Sequence, residues 1–270
     1  MASAAPTRAD RARQLGVTVS EVLCVLGTLV GVGVLGGTRV EEAAGGALAA
    51  DATLLAPAGP AFAIWTPIYL GLAAYTVWQW LPAQATDVRH RAIGWLVAAS
   101  MLLNALWLLV TQQGWLWVSV AVIAALVRVL GVLVLRLTER PSFGVVETVV
   151  VDGTFGLYLG WVCVATCANI TAALVASGVD PGPPLSELAA VAVVAVAAGV
   201  GVLLARRLDG RYAVAFAIAW GLAWIAVGRV ADEPQSAVTA WAAVAAAVVV
   251  VAATARQRAR VRQPVDDAAR

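Results

Sequence analysis

The hydrophobic positions form long unbroken stretches, unlike the alternating or half-apolar pattern of a soluble domain. A stretch of about 18 or more apolar residues can cross the ~30 Å hydrocarbon core of a bilayer as a helix. The sequence therefore predicts an all-α, polytopic membrane helix bundle with about eight transmembrane helices. These stretches lie near residues 15–36, 61–81, 92–110, 115–135, 148–175, 186–205, 212–228 and 237–255.

The composition agrees with a lipid environment. Hydrophobic residues make up 61% of the 270 residues and charged residues 13%, which is more apolar than the core of a water-soluble domain of this length requires. The formal net charge is only +2, and no segment alternates aromatic with basic residues. The lipid bilayer is therefore the expected surrounding, and nucleic-acid binding is not expected.

All 18 basic residues are arginine, and their positions predict the orientation of the chain. Short cytoplasmic loops of membrane proteins collect positive charge. With eight spans and the N-terminus inside, only Arg39 and Arg229 fall in outer loops, while Arg128 lies inside a span. The sequence thus predicts that both termini are cytoplasmic. The inner arginines are Arg8, Arg11, Arg13, Arg89, Arg91, Arg136, Arg140, Arg206, Arg207, Arg211, Arg256, Arg258, Arg260, Arg262 and Arg270.

Two features divide the chain. Residues 37–60 form a long outer loop, and long loops on compact scaffolds often act as lids or binding loops. Residues 177–187, with three Pro and two Gly, interrupt the apolar sequence and separate five helices from three. The sequence therefore predicts a cytoplasmic N-terminal segment, a five-helix bundle, a three-helix membrane extension and a basic cytoplasmic tail, at residues 1–14, 15–176, 177–255 and 256–270.

Aromatic and amide side chains recur on single helix faces of the five-helix part. Tyr69 follows Trp65 by four residues, and Asn104 precedes Trp107 by three, so each pair shares a face. An Asn amide that faced lipid would leave its donors and acceptor unsatisfied, so these faces should point into the bundle. The fifth stretch repeats the pattern with Tyr158, Trp161, Ala165 and Asn169.

These faces allow two interpretations. They could line one ligand cavity in the outer half of the bundle, widened by a helix kink at Pro67. Alternatively, they could only hold the helices together, with Trp filling volume and Asn forming interhelical hydrogen bonds. Spacing alone does not decide between a ligand pocket and helix packing.

Three segments, in order along the chain, resemble the TspO/MBR family of tryptophan-rich sensory proteins, relatives of the mitochondrial translocator protein and peripheral benzodiazepine receptor. "FAIWTPIYLGLAAYTVW" at 62–78 is similar to the second family helix, "LLNALWLLV" at 102–110 to the third and "LYLGWVCVATCANITAAL" at 157–174 to the fifth. The resemblance covers roughly residues 15–176, and the three further helices resemble the longer bacterial members.

The resemblance implies a five-helix bundle whose cavity takes tetrapyrroles such as protoporphyrin IX and haem, or other lipophilic molecules. It implies a receptor or sensor that requires no cofactor and has a tetrapyrrole as a possible ligand. By position, it places Trp65, Tyr69, Asn104, Trp107, Trp161 and Ala165 around the cavity; Tyr158 and Asn169 join them on the face of the fifth helix. The family's first loop usually contains a Trp linked to porphyrin breakdown, but residues 37–60 contain none, so that activity does not carry over.

Catalytic and metal sites are not expected. No nucleophile, base and acid occur with suitable spacing, so the sequence predicts that the protein is not an enzyme. Cys24, Cys163 and Cys167 all lie inside spans and are expected to be packing residues, and the single His90 is expected in an inner loop. No set of metal ligands is therefore predicted.

Two other roles remain open. A transporter could move the same ligand through the same cavity, with Asp152 as a proton carrier, unless Asp152 pairs with its neighbour Arg128 or Arg128 extends to the inner face. A structural or partner-regulating protein would bind no ligand.

Small-residue faces such as Gly27 with Gly31 and Gly156 with Gly160 predict close helix packing and permit a homodimer. The Ala-rich, Arg-only composition is typical of a GC-rich bacterial genome, so the bacterial plasma membrane is the expected location.

Overall fold

The computed structural model describes residues 5–262, which form helices and turns and contain no strand. Eight helices in this range are long and apolar enough to cross a membrane, as predicted. The prediction of an all-α helical membrane bundle is therefore confirmed. The expectations for residues 1–4 of the N-terminal segment and for residues 263–270 of the tail, including Arg270, lie outside the described residues.

The helices are numbered in chain order. A 3₁₀ helix, Gly59–Ile64, leads directly into the second membrane helix. The fifth begins with one α-helical turn, Val145–Glu147, and a π-helical stretch, Thr148–Gly153, before it continues as a regular α-helix. The bounds are α1 Arg8–Gly31, α2 Trp65–Trp78, α3 Val88–Gln112, α4 Leu116–Thr138, α5 Val145–Ala176, α6 Leu185–Arg207, α7 Tyr212–Ala231 and α8 Ala237–Arg262.

Polar side chains define where α1 and α3 begin. Thr7 and Asp10 form a capping box in which each side chain accepts a hydrogen bond from the other residue's backbone N–H. Asp87 caps α3, because its carboxylate accepts from the backbone N–H groups of Arg89 and His90. These caps satisfy backbone donors that a helix end otherwise leaves without partners.

The chain forms two compact units. The first unit consists of Met1–Ala49 and Ile64–Phe155, and it contains α1 to α4 with the beginning of α5. The second unit consists of Ala50–Ala63 and Gly156–Arg270, and it contains the rest of α5 with α6 to α8.

In the first unit, α1 packs along α3 through small residues. A Cβ atom added at Gly27 would lie 3.0 Å from Cβ of Ala105, and one at Gly31 would lie 2.7 Å from a methyl group of Leu108. The two helices run parallel, since contacts advance together along both chains. The predicted close packing at Gly27 and Gly31 is confirmed, because a larger side chain at either position would force the helices apart.

A buried ion-pair network joins α3 to the start of α5. The Arg89 guanidinium, 4% exposed, donates to Glu147 at 2.8 Å, to Asp152 at 2.5 Å and to the backbone oxygen of Arg140 at 2.7 Å. Glu147 also accepts a hydrogen bond from the backbone N–H of Phe143. Every N–H-bearing side of this guanidinium therefore has an acceptor, which a buried charge requires.

In the second unit, α5 packs against α7 through glycine. A Cβ atom at Gly156 would lie 2.8 Å from Cβ of Ala213, and one at Gly160 would lie 2.8 Å from Cβ of Ala217. Gly221 of α7 makes the reciprocal close approach to Val164. The close packing predicted for Gly156 and Gly160 is thus confirmed.

Residues 50–63 are fixed to α7. Arg229, 1% exposed, donates to the backbone oxygens of Thr53, Ala50 and Pro234, each at 2.9 Å. The backbone N–H of Ala58 donates to Trp224 oxygen at 3.1 Å. Trp220 Nε1 donates to the oxygen of Ala61 at 2.9 Å. The second half of the long loop therefore belongs, by its contacts, to the three-helix extension.

Three sequence-based expectations were wrong. Pro67 does not kink a helix, since it lies in the first turn of α2, where a backbone N–H has no intrahelical acceptor to lose. Asp152 pairs with Arg89 rather than with Arg128, which is exposed on α4. His90 lies in the first turn of α3, fully buried, with Nε2 at 2.9 Å from Oε1 of Gln84.

Candidate ligand-binding site

The first unit brings three of the predicted site residues into direct contact. The rings of Trp65 and Tyr69 stack, with centroids 5.2 Å apart and planes inclined by 19°. The side-chain amide of Asn104 donates to the Tyr69 hydroxyl at 2.9 Å. Trp65 and Tyr69 come from the first two turns of α2, and Asn104 comes from the second half of α3. The start of α2 and the interior of α3 thus form one cluster of aromatic and polar side chains.

Asn104 is the centre of this cluster. It is 2% exposed, and its amide also approaches Sγ of Cys24 on α1 at 3.6 Å. A buried amide in a membrane helix needs partners on neighbouring helices, and here α1 and α2 supply them. Trp107 lies one helical turn after Asn104 and is half-buried. The prediction that the polar face of α3 points into the bundle is confirmed for Asn104.

The remaining predicted residues lie on α5 in the second unit. Tyr158, Trp161 and Asn169 are almost completely buried, and Ala165 is half-buried. Trp161 meets Phe62 edge to face, with ring centroids 5.7 Å apart and planes inclined by 78°. Phe62 lies in the 3₁₀ helix before α2, so the segment 50–63 brings an aromatic ring to α5 within this unit. The eight predicted residues therefore fall into two groups, one in each unit.

Three further residues at or beside these groups were not predicted from the sequence. Cys24 was expected only to pack, but its thiol contacts the Asn104 amide. Phe62 carried no signal beyond its place in an aromatic segment. Glu21 lies within the first apolar stretch and is 7% exposed, so the rule that marks intramembrane charges as candidate functional residues applied to it as well.

The side chains of the first group are of the types that contact a flat apolar molecule with a few polar atoms. Stacked indole and phenol rings offer an aromatic face, and the buried amide offers hydrogen bonds of fixed direction. Among residues 5–262, no group of three or more His, Cys, Asp and Glu side chains is arranged to hold a metal ion.

The chain was compared with known protein families, curated proteins and solved structures. No curated protein and no solved structure matches the chain. A family model, described as TSPO-like protein, matches residues 18–255. The match runs through both compact units and includes α6 and α7 with most of α8, beyond the five helices that carry the sequence motifs. Because it covers most of the chain, the protein belongs to the family of TSPO-like membrane proteins.

Proposed function

We propose that this protein is an integral membrane receptor or sensor that binds a tetrapyrrole, such as protoporphyrin IX or haem, or a similar lipophilic molecule. The observation that carries the proposal is the hydrogen bond from the buried Asn104 amide to Tyr69, whose ring stacks on Trp65. These residues occupy the positions at which the family resemblance predicts ligand contacts. The ligand is bound rather than transformed, and no cofactor takes part in a reaction.

The physical chemistry of the cluster suits such a ligand. A planar macrocycle buries a large apolar area and stacks on aromatic rings at centroid distances of about 4.5–7 Å. Its few polar atoms need donors and acceptors, because an unsatisfied polar group in hydrocarbon costs several kcal/mol. Asn104 and Tyr69 supply these groups next to Trp65.

The test is a titration of the purified protein in nanodiscs with protoporphyrin IX, followed by the fluorescence of the porphyrin. Asn104→Ala removes the donor to Tyr69 and leaves that hydroxyl and Cys24 without their shared partner. We expect saturable binding that weakens about tenfold in this variant, the scale of one buried hydrogen bond with an orphaned partner. Trp65→Phe, in the same unit, should weaken binding by about threefold to tenfold through lost ring area.

Two exposed positions provide matched controls. Gln113→Ala removes an amide at the end of α3, and Trp241→Phe shortens a ring that is 73% exposed on α8. Both controls should bind the porphyrin as the unmodified protein does. Non-saturable binding, or equal affinity in all variants that fold, would favour the helix-packing interpretation and contradict the proposal.

A further inference from the structure

Glu21 is a buried carboxyl group without a partner in the middle of α1. Its side chain is 7% exposed, and neither carboxyl oxygen has a hydrogen-bond partner or a salt bridge among residues 5–262. Gly16 and Gly27, on either side of it in the chain, both contact α3. Glu21 therefore lies well inside the helix interface, far from either end of α1.

Two residues of the candidate site region interact with Glu21. Cys24 follows Glu21 by three residues, so both lie on one face of α1. The Cys24 thiol contacts the Asn104 amide, which in turn donates to Tyr69. Glu21 also interacts electrostatically with both Cys24 and Tyr69. The carboxyl group therefore lies on the face of α1 that carries Cys24, the α1 contact of the cluster.

No cation offsets this carboxyl group on the helices that pack against α1. Helix α2 contains no charged residue, and its Tyr69 interacts electrostatically with Glu21. The nearest cation on α1 itself, Arg13, is eight residues earlier, roughly 12 Å along the helix axis. The other charged residues of α1 and α3, and the single histidine, all lie in the first turns of these helices: Arg8, Asp10, Arg11, Arg89, His90 and Arg91.

An unpaired carboxylate cannot remain ionised at low cost in such surroundings. It either holds a proton or meets a cation that supplies the missing charge. A hydrogen bond between an ammonium group and a carboxylate is among the strong ones, and it gains strength where water is excluded. An anionic ligand group at the same place would be repelled, and a neutral one would gain only an ordinary hydrogen bond.

We propose that Glu21 recognises a protonated amine on a lipophilic ligand whose aromatic body contacts Trp65 and Tyr69. This inference rests on the proposed function, in that the same face of the first unit must admit a lipophilic molecule. Glu21 holds a proton in the free protein. Binding of an ammonium group transfers that proton to solvent and leaves an ammonium–carboxylate pair, so one proton is released for each ligand bound.

The experiment compares 1-pyrenemethylamine with its neutral isostere 1-pyrenemethanol. Both are titrated by fluorescence into the full-length protein in nanodiscs of phosphatidylcholine, and empty nanodiscs correct for partition into lipid. The unmodified protein should bind the amine at least about tenfold more tightly than the alcohol, the scale of one charge-assisted hydrogen bond. Glu21→Gln should remove this preference by weakening the amine alone. A weakly buffered sample should release one proton per amine bound.

Glu139→Gln is the matched control. It makes the same charge change at a side chain that is 57% exposed after α4, and it should keep the preference for the amine. Equal affinity of the unmodified protein for the two probes would overturn the inference, as would a preference that survives in Glu21→Gln. The first of these outcomes needs no variant, so the test holds even if Glu21→Gln fails to fold.

Protoporphyrin IX is titrated into the same samples to separate the two proposals. An amine preference that depends on Glu21, without porphyrin binding, would contradict the tetrapyrrole ligand and leave the role of Glu21 standing. Saturable porphyrin binding without any amine preference would do the reverse. The two proposals can therefore fail independently.

Discussion

Arg229 shows how one side chain can hold a loop. Its buried guanidinium donates to three backbone oxygens and interacts electrostatically with Asp232, Asp51 and Glu233. Backbone oxygens in a loop have no helical partner, so a fork of fixed N–H donors is well suited to hold them. The position of residues 50–63 thus depends on Arg229. From the sequence, this residue was notable only as one of two arginines expected in outer loops.

Replacement of Arg229 by Met should release this loop segment. The variant keeps the apolar stem of the side chain but leaves the oxygens of Ala50, Thr53 and Pro234 without their donor. We expect the free energy of unfolding to fall by about 2–4 kcal/mol, from orphaned acceptors near a helix end. Hydrogen exchange should accelerate at the backbone N–H of Ala58, which bonds to Trp224 in the same contact.

Arg206→Met is the control for this prediction. It makes the same substitution at an exposed position near the end of α6 and should leave both the unfolding and the exchange of Ala58 unchanged. If Ala58 remains protected in Arg229→Met, then Trp220 and Trp224 suffice to hold the segment and Arg229 has another role.

The sequence identified some of these residues and not others for a physical reason. Asn104 stands out because an amide inside an apolar stretch must find a partner within the protein. Its partners do not stand out, since Tyr69 was indicated only by its spacing from Trp65, and Cys24 was one of three cysteines inside spans that were expected to be packing residues. The same limit explains Asp152, whose charge was evident while its partner Arg89, 63 residues earlier, is determined by helix packing.

At the level of helices, the hydrophobic pattern predicted their number but not their local geometry. The pattern cannot separate the 3₁₀ residues Gly59–Ile64 from α2, because both are apolar. Nor does it reveal the π-helical stretch Thr148–Gly153. Both acidic partners of Arg89 lie here, since Glu147 directly precedes the stretch and Asp152 is within it. Such short departures from the α-helix arise from tertiary contacts, which a window of hydropathy does not contain.

The packing of α1 on α3 gives a prediction at this scale. Gly27→Val should lower the free energy of unfolding by about 1–3 kcal/mol, because the new Cβ alone would lie 3.2 Å from Cα of Ala105. Ala105 directly follows Asn104. Separation of the two helices should therefore lengthen the contact between Asn104 and Cys24 and weaken porphyrin binding in the titration described above.

Gly131→Val on α4 is the matched substitution. A Cβ atom at Gly131 meets no atom within 4 Å, so this variant should unfold and bind as the unmodified protein does. Equal stability of the two variants would mean that α1 and α3 can shift apart without loss, against the close packing described here.

For the molecule as a whole, the arginine distribution predicts the orientation in the membrane. Green fluorescent protein fused after Arg262 should fluoresce, since that end of α8 is expected in the cytoplasm. Alkaline phosphatase inserted after Asp180, between α5 and α6, should be active, since that turn is expected outside. Inactive phosphatase together with a non-fluorescent C-terminal fusion would indicate the opposite orientation in the membrane.

The extent of the family match exceeds what the motifs alone indicate. The three resembling segments end at residue 174, yet the match runs from residue 18 to residue 255. The Ala- and Val-rich helices α6 and α8 carry few distinctive side chains, so no short motif marks them in a single sequence. The domain boundary at residues 177–187 stays a prediction, while contacts group the part of α5 from Gly156 onward with α6 to α8.

The attachment of residues 50–63 to α7 also orders events during biosynthesis. Thr53 leaves the ribosome 176 residues before its donor Arg229, which at ~5–20 residues per second is roughly 9 to 35 s of translation. Throughout that interval the nascent segment has no Arg229 to bind it. A chain that stalls before α7 therefore cannot form these contacts, so the position of a loop made near the start is fixed only after α7 has been made.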